Sequence, residues 1–348
     1  MHDHNYYMNI AVNIANSALG NTSPNPPVGC VLVYNNKIIS VTRTGLNGRP
    51  HAEEVAMHQI SKNILLQSTM YVTLEPCYSR STQCTPCVRK IINNKIPRII
   101  IGTQDPNPYI NGCSIKLLQQ NNVEVILGIL KNKCDKLISG FRYRLIKQRP
   151  FVTLKLAMSL DGKIALKDGY SKWITSLNLR RIGHKLRAKN DAIITGINTV
   201  IKDDPLYTVR LATVKRHPIR IILDTNLRIE KSMKILQDVR KIKTIVFHNC
   251  INRHKFKDVE YINIPTNELG LNLKLVVKKL AELGINNILI EAGQKISTSF
   301  IKEKLVDKII IFSSNKIIGA DGINGFNNLS IKTMSECPQI ETKIIRDV

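Results

Sequence analysis

The chain has 348 residues, with 51 Lys and Arg against 26 Asp and Glu, so its formal net charge is +25. This length suggests two domains, each able to bury a hydrophobic core. No run of about eighteen apolar residues is present, which argues against a transmembrane helix. The N-terminus lacks the basic and apolar segments of a signal peptide, so we expect a cytoplasmic protein with no membrane partner.

The positive charge alone would suggest a nucleic-acid-binding protein. However, the basic residues are spread along the chain, are mostly Lys, and accompany an excess of Ile and Asn. These three amino acids have A/T-rich codons, so base composition explains the excess without selection for a polyanionic partner. We therefore expect no nucleic-acid partner, although the positive field would help to attract a phosphorylated substrate.

The first part of the chain alternates helical and extended patterns. Apolar spacing predicts an amphipathic helix over 3–19, and strands at 28–34 and 37–41 surround a hairpin pattern. A helix follows from about His51. Further predicted elements are a strand at 69–74, a helix at 85–94, a strand at 98–102, a helix at 114–121 and a strand at 123–127. This alternation favours an α/β domain in which helices cover a sheet.

A domain boundary is predicted where Ile-Lys-Gln-Arg-Pro ends this first pattern, which gives domains 1–147 and 148–348. The α/β pattern then restarts. Predicted strands lie at 151–158, 191–195, 219–223, 243–248, 259–264, 286–290 and 307–313, and predicted helices at 176–188, 271–283 and 294–304. The second domain is therefore also expected to be α/β.

One group of residues in the first domain carries metal-site chemistry. His51 and Cys87 each follow a Pro at a predicted helix start, and Cys77 follows a predicted strand. Three such positions can converge at one rim of the sheet and suit a zinc ion with one open coordination position. Glu53, two residues beyond His51, can act as general base and then acid toward a zinc-activated water. This chemistry removes an amino group from an aromatic ring.

Two alternatives remain open within this group. Glu54 competes with Glu53 as the proton carrier, and the spacing His-x-Glu favours Glu53. Cys84 competes with Cys87 as the third ligand, and the Thr-Pro-Cys sequence leading into a helix favours Cys87. Nine residues separate Cys77 from Cys87, whereas nucleic-acid deaminases carry Pro-Cys-x-x-Cys. The spacing therefore argues against a nucleic-acid deaminase.

The first domain resembles the deaminase half of the bifunctional riboflavin-biosynthesis deaminase-reductases. The resemblance implies a cytidine-deaminase-like three-layer fold, zinc on His51, Cys77 and Cys87, Glu53 as proton shuttle, and Asn25 in the pyrimidine pocket. The matching segments are Pro24-Asn25-Pro26-Pro27-Val28-Gly29, Pro50-His51-Ala52-Glu53, Tyr71-Val72-Thr73-Leu74-Glu75-Pro76-Cys77, Thr85-Pro86-Cys87 and Asp105-Pro106-Asn107-Pro108.

The segment between Cys77 and Cys87 departs from this family. The family usually has Cys-Ser-His-x-Gly-x-Thr-Pro-Pro-Cys, but this chain is one residue longer, lacks the His and the Gly, and has gained Cys84. Thr44 also stands where the family tends to have a His. These changes affect substrate contacts more than metal ligands, and they motivate an alternative in which only the second domain is active.

The second domain resembles the reductase half of the same family, which has a dihydrofolate-reductase-like fold. The matching segments include Lys155 to Ala165, Ser171 to Ser176, Asp203-Asp204-Pro205, Pro218-Ile219-Arg220 and Glu291-Ala292-Gly293. The family's last strand is expected to be truncated here, because the chain ends at Val348.

The side chains of the second domain fit a reductase that binds a phosphorylated sugar and NADPH. Arg187 and Arg210 can clamp a phosphate, and Trp173 offers a stacking face for nicotinamide. Glu291 ends a predicted strand, and Gly293 opens a helix that can hold a cofactor phosphate. The resemblance implies the same cofactor side and adds the backbone of Met158 and the side chain of Thr225. The predicted cofactor residues are Met158, Trp173, Thr199, Asp203, Thr225, Gly293, Gln294, Lys295, Ile296, Ser297, Thr298 and Ser299. The predicted substrate residues are Asn25, Ser171, Arg187, Tyr207, Arg210 and Glu291.

Together the two resemblances predict an enzyme of riboflavin biosynthesis that acts on small phosphorylated pyrimidines. The first domain would deaminate 2,5-diamino-6-(5-phosphoribosylamino)pyrimidin-4-one with one zinc ion. The second would reduce the ribosyl group of the product with NADPH, yielding 5-amino-6-(5-phosphoribitylamino)uracil. A homo-oligomer is expected.

Overall fold

The computed structural model describes residues 3–58, 60–78, 85–211, 216–251 and 255–338. The chain folds into two compact units. Unit 1 consists of the described residues up to Pro150 together with Ala281–Asn286, and unit 2 consists of Phe151–Leu280 and the described residues from Asn287 onward. The predicted domain boundary between residues 147 and 148 lies just before Pro150, where the first segment of unit 1 ends.

Unit 1 contains seven helices and five strands within its described residues. The helices are α1 His4–Asn16, α2 Ala52–His58, α3 Lys62–Leu65, α4 Cys87–Asn93, α5 Cys113–Gln120, α6 Lys131–Leu137 and α7 Ser139–Lys147. The strands are β1 Gly29–Tyr34, β2 Lys37–Arg43, β3 Thr69–Leu74, β4 Arg98–Thr103 and β5 Glu124–Leu127.

The strands of unit 1 form one sheet in the order β2-β1-β3-β4-β5. β1 is antiparallel to β2 and β3, whereas β3, β4 and β5 are parallel. α1 packs with α6, while α4 packs with both α2 and α5. The central strands β1, β3 and β4 are buried almost throughout, so helices cover both faces of the sheet.

Unit 2 is built around a larger sheet. Its strands are β6 Phe151–Met158, β7 Lys163–Ala165, β8 Ala192–Gly196, β9 Ile219–Leu223, β10 Thr244–His248, β11 Glu260–Asn263, β12 Thr266–Asn267, β13 Gly270–Leu271, β14 Asn287–Ile290, β15 Lys308–Ser313 and β16 Ile323–Asn324. Its helices are α8 Leu177–Ala188, α9 Ile197–Asp203, α10 Leu273–Glu282 and α11 Gln294–Lys302.

Seven strands of unit 2 form a sheet in the order β11-β10-β9-β8-β14-β6-β15, and all their pairings are parallel. Their carboxyl ends therefore lie along one edge, where open α/β sheets bind ligands. α9 begins directly after β8, and α11 begins at Gln294, after β14 and the N-cap residue Gly293. The sheet thus places two helix N-termini at the same edge.

Most predicted elements agree with the observed ones to within a few residues. The strands predicted at 69–74, 151–158 and 219–223 have the observed bounds. The sequence analysis did not predict α6, α7 and α9; of these, α6 and α7 are rich in Lys and Arg and bury few side chains. Among the described helices, none is both long and apolar enough to cross a membrane.

Candidate active sites

Three metal-ligand side chains of unit 1 converge at the carboxyl end of β3. A ligand atom from each of His51, Cys77 and Cys87 lies within 4.8 Å of the other two. The Cys87 sulfur is 3.5 Å from His51 Nδ1, and the backbone N–H of Cys87 donates to Cys77 Sγ at 3.2 Å. The three residues that the sequence predicted as ligands are therefore brought together.

Local structure explains why these side chains point to one place. His51 immediately precedes α2 and its carbonyl accepts from the N–H of Val55, whereas Cys87 opens α4. Cys77 follows the end of β3, and its carbonyl accepts from the N–H of Val88 at 3.4 Å. Two helix starts and one strand end therefore fix the three side chains.

The donor set fits zinc. A nitrogen at about 2.1 Å and a sulfur at about 2.3 Å from one tetrahedral zinc lie about 3.6 Å apart, close to the distance between His51 Nδ1 and Cys87 Sγ. Hydrogen bonding from Cys87, aided by His51, lowers the pKa of the Cys77 thiol to about 3 despite partial burial. A thiolate is the form that a metal binds.

Glu53 and Glu54 occupy different environments in the first turn of α2. Glu53 is 3% exposed, and burial raises the pKa of its carboxyl group. Its carboxylate interacts with all three candidate ligands, including a hydrogen bond with Cys87. Glu54 instead forms an ion pair with Lys90 of α4 at 2.5 Å. The geometry favours Glu53 as the proton carrier.

Asn25 packs against the loop that leads into His51. Its Nδ2 donates to the carbonyl of Gly48 at 3.0 Å. Gly48 has a φ of +83°, and a Cβ on it would lie 2.5 Å from Asn25 and 2.7 Å from the carbonyl oxygen of Thr22. Only glycine fits this close approach, so Gly48 helps to orient the side chain of Asn25. Cys84, the alternative ligand, lies outside the described residues.

Unit 2 contains a cavity of about 1070 Å³ along the carboxyl edge of its sheet. Its wall includes most of the residues that the sequence predicted for cofactor and substrate binding. These are Ser171, Trp173, Arg187, Thr199, Asp203, Tyr207, Arg210, Thr225, Glu291, Gly293, Gln294, Lys295, Ile296 and Ser299.

Three predicted cofactor residues do not contribute to this wall. The Met158 carbonyl accepts from the N–H of Ser314. Ser297 and Thr298 point into the protein, where their hydroxyl groups donate to backbone carbonyls of the preceding helical turn. Thr298 also accepts the N–H of Asn327 at 2.8 Å, so both side chains support the turn rather than line the cavity.

A buried ion pair lies in the cavity wall. Arg187 donates Nε and Nη2 to the two carboxylate oxygens of Glu291 at 2.8 and 2.7 Å. The Tyr207 hydroxyl donates to the Glu291 carbonyl at 3.0 Å. Burial alone would raise the pKa of Glu291, but Arg187, with help from Lys155 and His184, lowers that pKa to about 2. Glu291 is therefore a carboxylate at any physiological pH.

Two residues of the cavity wall, which the sequence analysis did not predict, contact residues that it did predict. His184 Nδ1 accepts the backbone N–H of Arg210 at 3.3 Å, and its Nε2 lies 3.4 Å from the Arg210 guanidinium. The Arg180 guanidinium lies 4.0 Å from the centre of the Trp173 ring, a cation–π contact. Arg180, His184 and Arg187 follow the i, i+4, i+7 spacing of one helical face, and this pattern could have revealed them.

Comparison with known protein families matches both halves of the chain. Residues 1–103 match the cytidine and deoxycytidylate deaminase zinc-binding region. Residues 150–345 match the RibD C-terminal domain. These matches confirm the predicted zinc-binding deaminase domain, the predicted reductase domain and the predicted fold class of the chain.

Individual proteins resemble the chain over nearly its whole length. The riboflavin biosynthesis protein RibD of Aquifex aeolicus is 37% identical over 346 residues, covering 98% of this chain and 95% of that protein. The Escherichia coli protein of the same name is 32% identical over 355 residues, covering 99% of this chain and 96% of that protein.

A solved structure agrees with this result. It is a diaminohydroxyphosphoribosylaminopyrimidine deaminase/5-amino-6-(5-phosphoribosylamino)uracil reductase from Thermotoga maritima, with 34% sequence identity and a TM-score of 0.86, and the match covers 96% of this chain and 92% of that one. Acinetobacter baumannii RibD has a TM-score of 0.85 at 31% identity, covering 96% of this chain and 93% of that one. This chain belongs to the RibD family of riboflavin biosynthesis proteins.

Proposed function

We propose that unit 1 deaminates 2,5-diamino-6-(5-phosphoribosylamino)pyrimidin-4-one and that unit 2 reduces the ribosyl group of the product with NADPH. The family membership makes the chain a bifunctional deaminase and reductase of riboflavin biosynthesis. The observation that carries the assignment to residues is the convergence of His51, Cys77 and Cys87 beside the buried carboxyl group of Glu53. The alternative with only an active reductase is not favoured.

In unit 1, we assign His51, Cys77 and Cys87 to one zinc ion, which when bound activates water for attack on the ring carbon. Glu53 accepts a proton from the attacking water and delivers it to the departing amino group, which leaves as ammonia. We assign Asn25 to the pyrimidine pocket, where the hydrogen bond from its Nδ2 to the Gly48 carbonyl fixes the orientation of the amide. Burial of Glu53 keeps bulk water away from the transferred proton.

In unit 2, NADPH, when bound, would supply the hydride that reduces the ring-opened sugar. We assign the N-terminus of α11 to the cofactor phosphates, because Gly293, Gln294, Lys295, Ile296 and Ser299 lie in the cavity wall, while Ser297 and Thr298 support this helix start from inside. Trp173, Thr199, Asp203 and Thr225, with the backbone of Met158, complete the cofactor side. Ser171, Arg187, Tyr207, Arg210 and Glu291 hold the substrate.

The substrates are small phosphorylated pyrimidines. We further propose that the protein acts in the cytoplasm as a homo-oligomer and binds no nucleic acid. The dispersed distribution of its basic residues supports the last point. Sedimentation of the purified chain, with and without a short RNA duplex, tests both the oligomeric state and the absence of nucleic-acid binding.

The two neighbouring carboxylates of α2 offer a direct test of the deaminase assignment. We expect Glu53→Gln to lower the rate of ammonia release by roughly 10²–10⁴-fold while the protein keeps its zinc, because it removes the proton carrier. Glu54→Gln is the matched control and breaks the partly exposed ion pair with Lys90, so its rate should stay within a few-fold of wild type. Equal loss in both variants, or none in Glu53→Gln, contradicts the assignment.

A further inference from the structure

Glu75 is a buried carboxylate that the mechanism above does not use. It lies between the end of β3 and the ligand Cys77, and its residue is 2% exposed. Oε2 accepts the backbone N–H groups of Asp105 and Gly112 at 3.2 and 2.9 Å. Oε1 accepts those of Ser114 and Ile115 at 3.1 and 3.4 Å. Four backbone donors from a distant part of the chain therefore converge on one side chain.

These donors include the first turn of α5. A helix start leaves its first N–H groups without intrahelical partners, and a side chain at the N-cap position usually accepts one of them. Here the N-cap residue is Gly112, which has no side chain to do so. Glu75 accepts the N–H groups of the second and third helical residues instead, and its negative charge is favourable at that end of the helix dipole.

A second contact joins the same two segments. The Ser114 hydroxyl donates to the carbonyl of Pro76 at 2.7 Å, immediately before the ligand Cys77. An ordinary N-cap side chain at position 112 would satisfy α5 without touching the ligand-bearing segment. Through Glu75 and Ser114, the start of α5 is therefore bonded to the two residues that precede Cys77, namely Glu75 and Pro76.

The segment held by Glu75 also contains the Asp-Pro-Asn-Pro sequence at 105–108, to which no role has been given above. Its turn is closed locally, because Asp105 Oδ1 accepts the N–H of Asn107 at 2.8 Å. Glu75 attaches both ends of the 105–112 segment, through Asp105 and Gly112, to the strand end that precedes Cys77. The segment therefore cannot move away from the ligand without breaking bonds to a buried charge.

We propose that Glu75 is a positioning residue of the deaminase, which fixes Cys77 and the 105–112 segment in one arrangement by capping α5 from the end of the neighbouring strand. The proposal rests on the proposed function of unit 1. It predicts that loss of the Glu75 carboxylate changes the geometry of the metal ligands as well as the stability of α5.

Glu75→Gln is the test variant, because its amide keeps the shape but turns an NH₂ group toward backbone donors. Glu124→Gln is the matched control in the same unit, since Glu124 is exposed on β5. Ser114→Ala is a second variant that removes the bond to Pro76 without disturbing a buried charge. NADPH oxidation by unit 2 reports in every variant whether the rest of the chain is folded.

Four readouts are needed. In metal-free protein, we expect hydrogen exchange at the amides of Gly112, Ser114 and Ile115 to be at least ~10-fold faster in Glu75→Gln. We expect zinc affinity, measured by chelator competition, and deaminase kcat to fall by about 10–100-fold, the range seen when residues that orient metal ligands are changed. The absorption bands of the cobalt-substituted protein should shift. Ser114→Ala should move the same readouts less, and Glu124→Gln should move none.

An unchanged cobalt spectrum and zinc affinity in Glu75→Gln overturn the proposal even if the variant melts earlier, because a purely structural role would lower stability alone. If Glu75→Gln does not accumulate as folded protein, the test uses Ser114→Ala instead. A wild-type cobalt spectrum in Ser114→Ala then overturns the proposal. A wild-type chain that binds zinc but releases no ammonia would refute the proposed function, whereas exchange and cobalt absorption would still report on Glu75.

Discussion

Arg187 and Glu291 show how pairing reverses the effect of burial on a charged side chain. Their side chains are only 20% and 11% exposed, and they meet through two parallel hydrogen bonds. Such a pair adds little net stability compared with apolar residues, but removing one partner leaves a buried charge uncompensated. The pair therefore keeps a carboxylate and a guanidinium ionised in the wall of the reductase cavity.

This pairing predicts a specific pH dependence of stability. The pKa of Glu291 is lowered from 4.5 to about 2 in the folded protein. The contribution of the ionised Glu291 to the free energy of unfolding is therefore fully present above the unfolded pKa. It is lost as the pH falls from about 4.5 toward 2 and amounts to about 3 kcal/mol. Glu291→Gln should therefore unfold at lower urea concentration at pH 7, and its deficit relative to wild type should shrink at pH 3.

Glu260→Gln is the control for this experiment. Glu260 pairs with Lys243 at 2.7 Å, but both side chains are well exposed, so the change should shift the free energy of unfolding by less than ~1 kcal/mol at either pH. A Glu291→Gln deficit that is small at pH 7, or that does not depend on pH, would contradict the lowered pKa.

At the residue scale, local motifs predicted the three candidate metal ligands. Residues that act through contacts distant in sequence were not predicted. His51, Cys77 and Cys87 belong to short sequence patterns at helix and strand ends. Glu75 accepts N–H groups from residues 30 to 40 positions away, and nothing in its neighbours indicates this. His184 likewise supports Arg210 across a separation of 26 residues.

At the scale of elements, the strands were the most predictable parts. β3, β6 and β9 are apolar runs rich in residues that favour strands, and their observed bounds match the predicted ones. α9 was missed because it follows β8 without a loop, so its apolar start, Ile197, reads as a continuation of the strand. α6 and α7 were missed because their charged residues obscure the apolar spacing.

The loop that leads into His51 offers a prediction at this scale. Gly48→Ala should destabilise unit 1 by more than the roughly 1–2 kcal/mol expected for a left-handed alanine, because the added Cβ also meets Asn25 and a backbone oxygen. Deaminase activity should fall with it, while NADPH oxidation by unit 2 should not. Thermal unfolding and both activity assays measure these effects.

Gly128→Ala is the matched comparison. Gly128 has a φ of +98° in the same unit, but a Cβ there would meet nothing within 4 Å. The free energy of unfolding of this variant should fall only by the amount expected for an alanine in the left-handed region. Its deaminase activity should be unchanged. If the two alanine variants behave alike, the close packing of Gly48 on Asn25 does not position the loop.

At the scale of the whole molecule, two α/β units carry two kinds of chemistry on one chain. The sequence indicated both, because each half contains ordered motifs with distinct chemical requirements. It could not indicate that Ala281–Asn286 groups with unit 1, since this short segment begins within the last turn of α10, in a region whose pattern belongs to the second half.

The most direct test of the central claim compares the two activities in one preparation before and after zinc is removed with a chelator. Ammonia release should disappear on treatment and return when zinc is restored, because the proposed deamination needs a water activated by zinc at the site formed by His51, Cys77 and Cys87. NADPH oxidation with the deaminated substrate should continue unchanged, because the reductase cavity is lined by residues of unit 2. Ammonia release that survives removal of zinc, or reductase activity lost with it, would contradict the account.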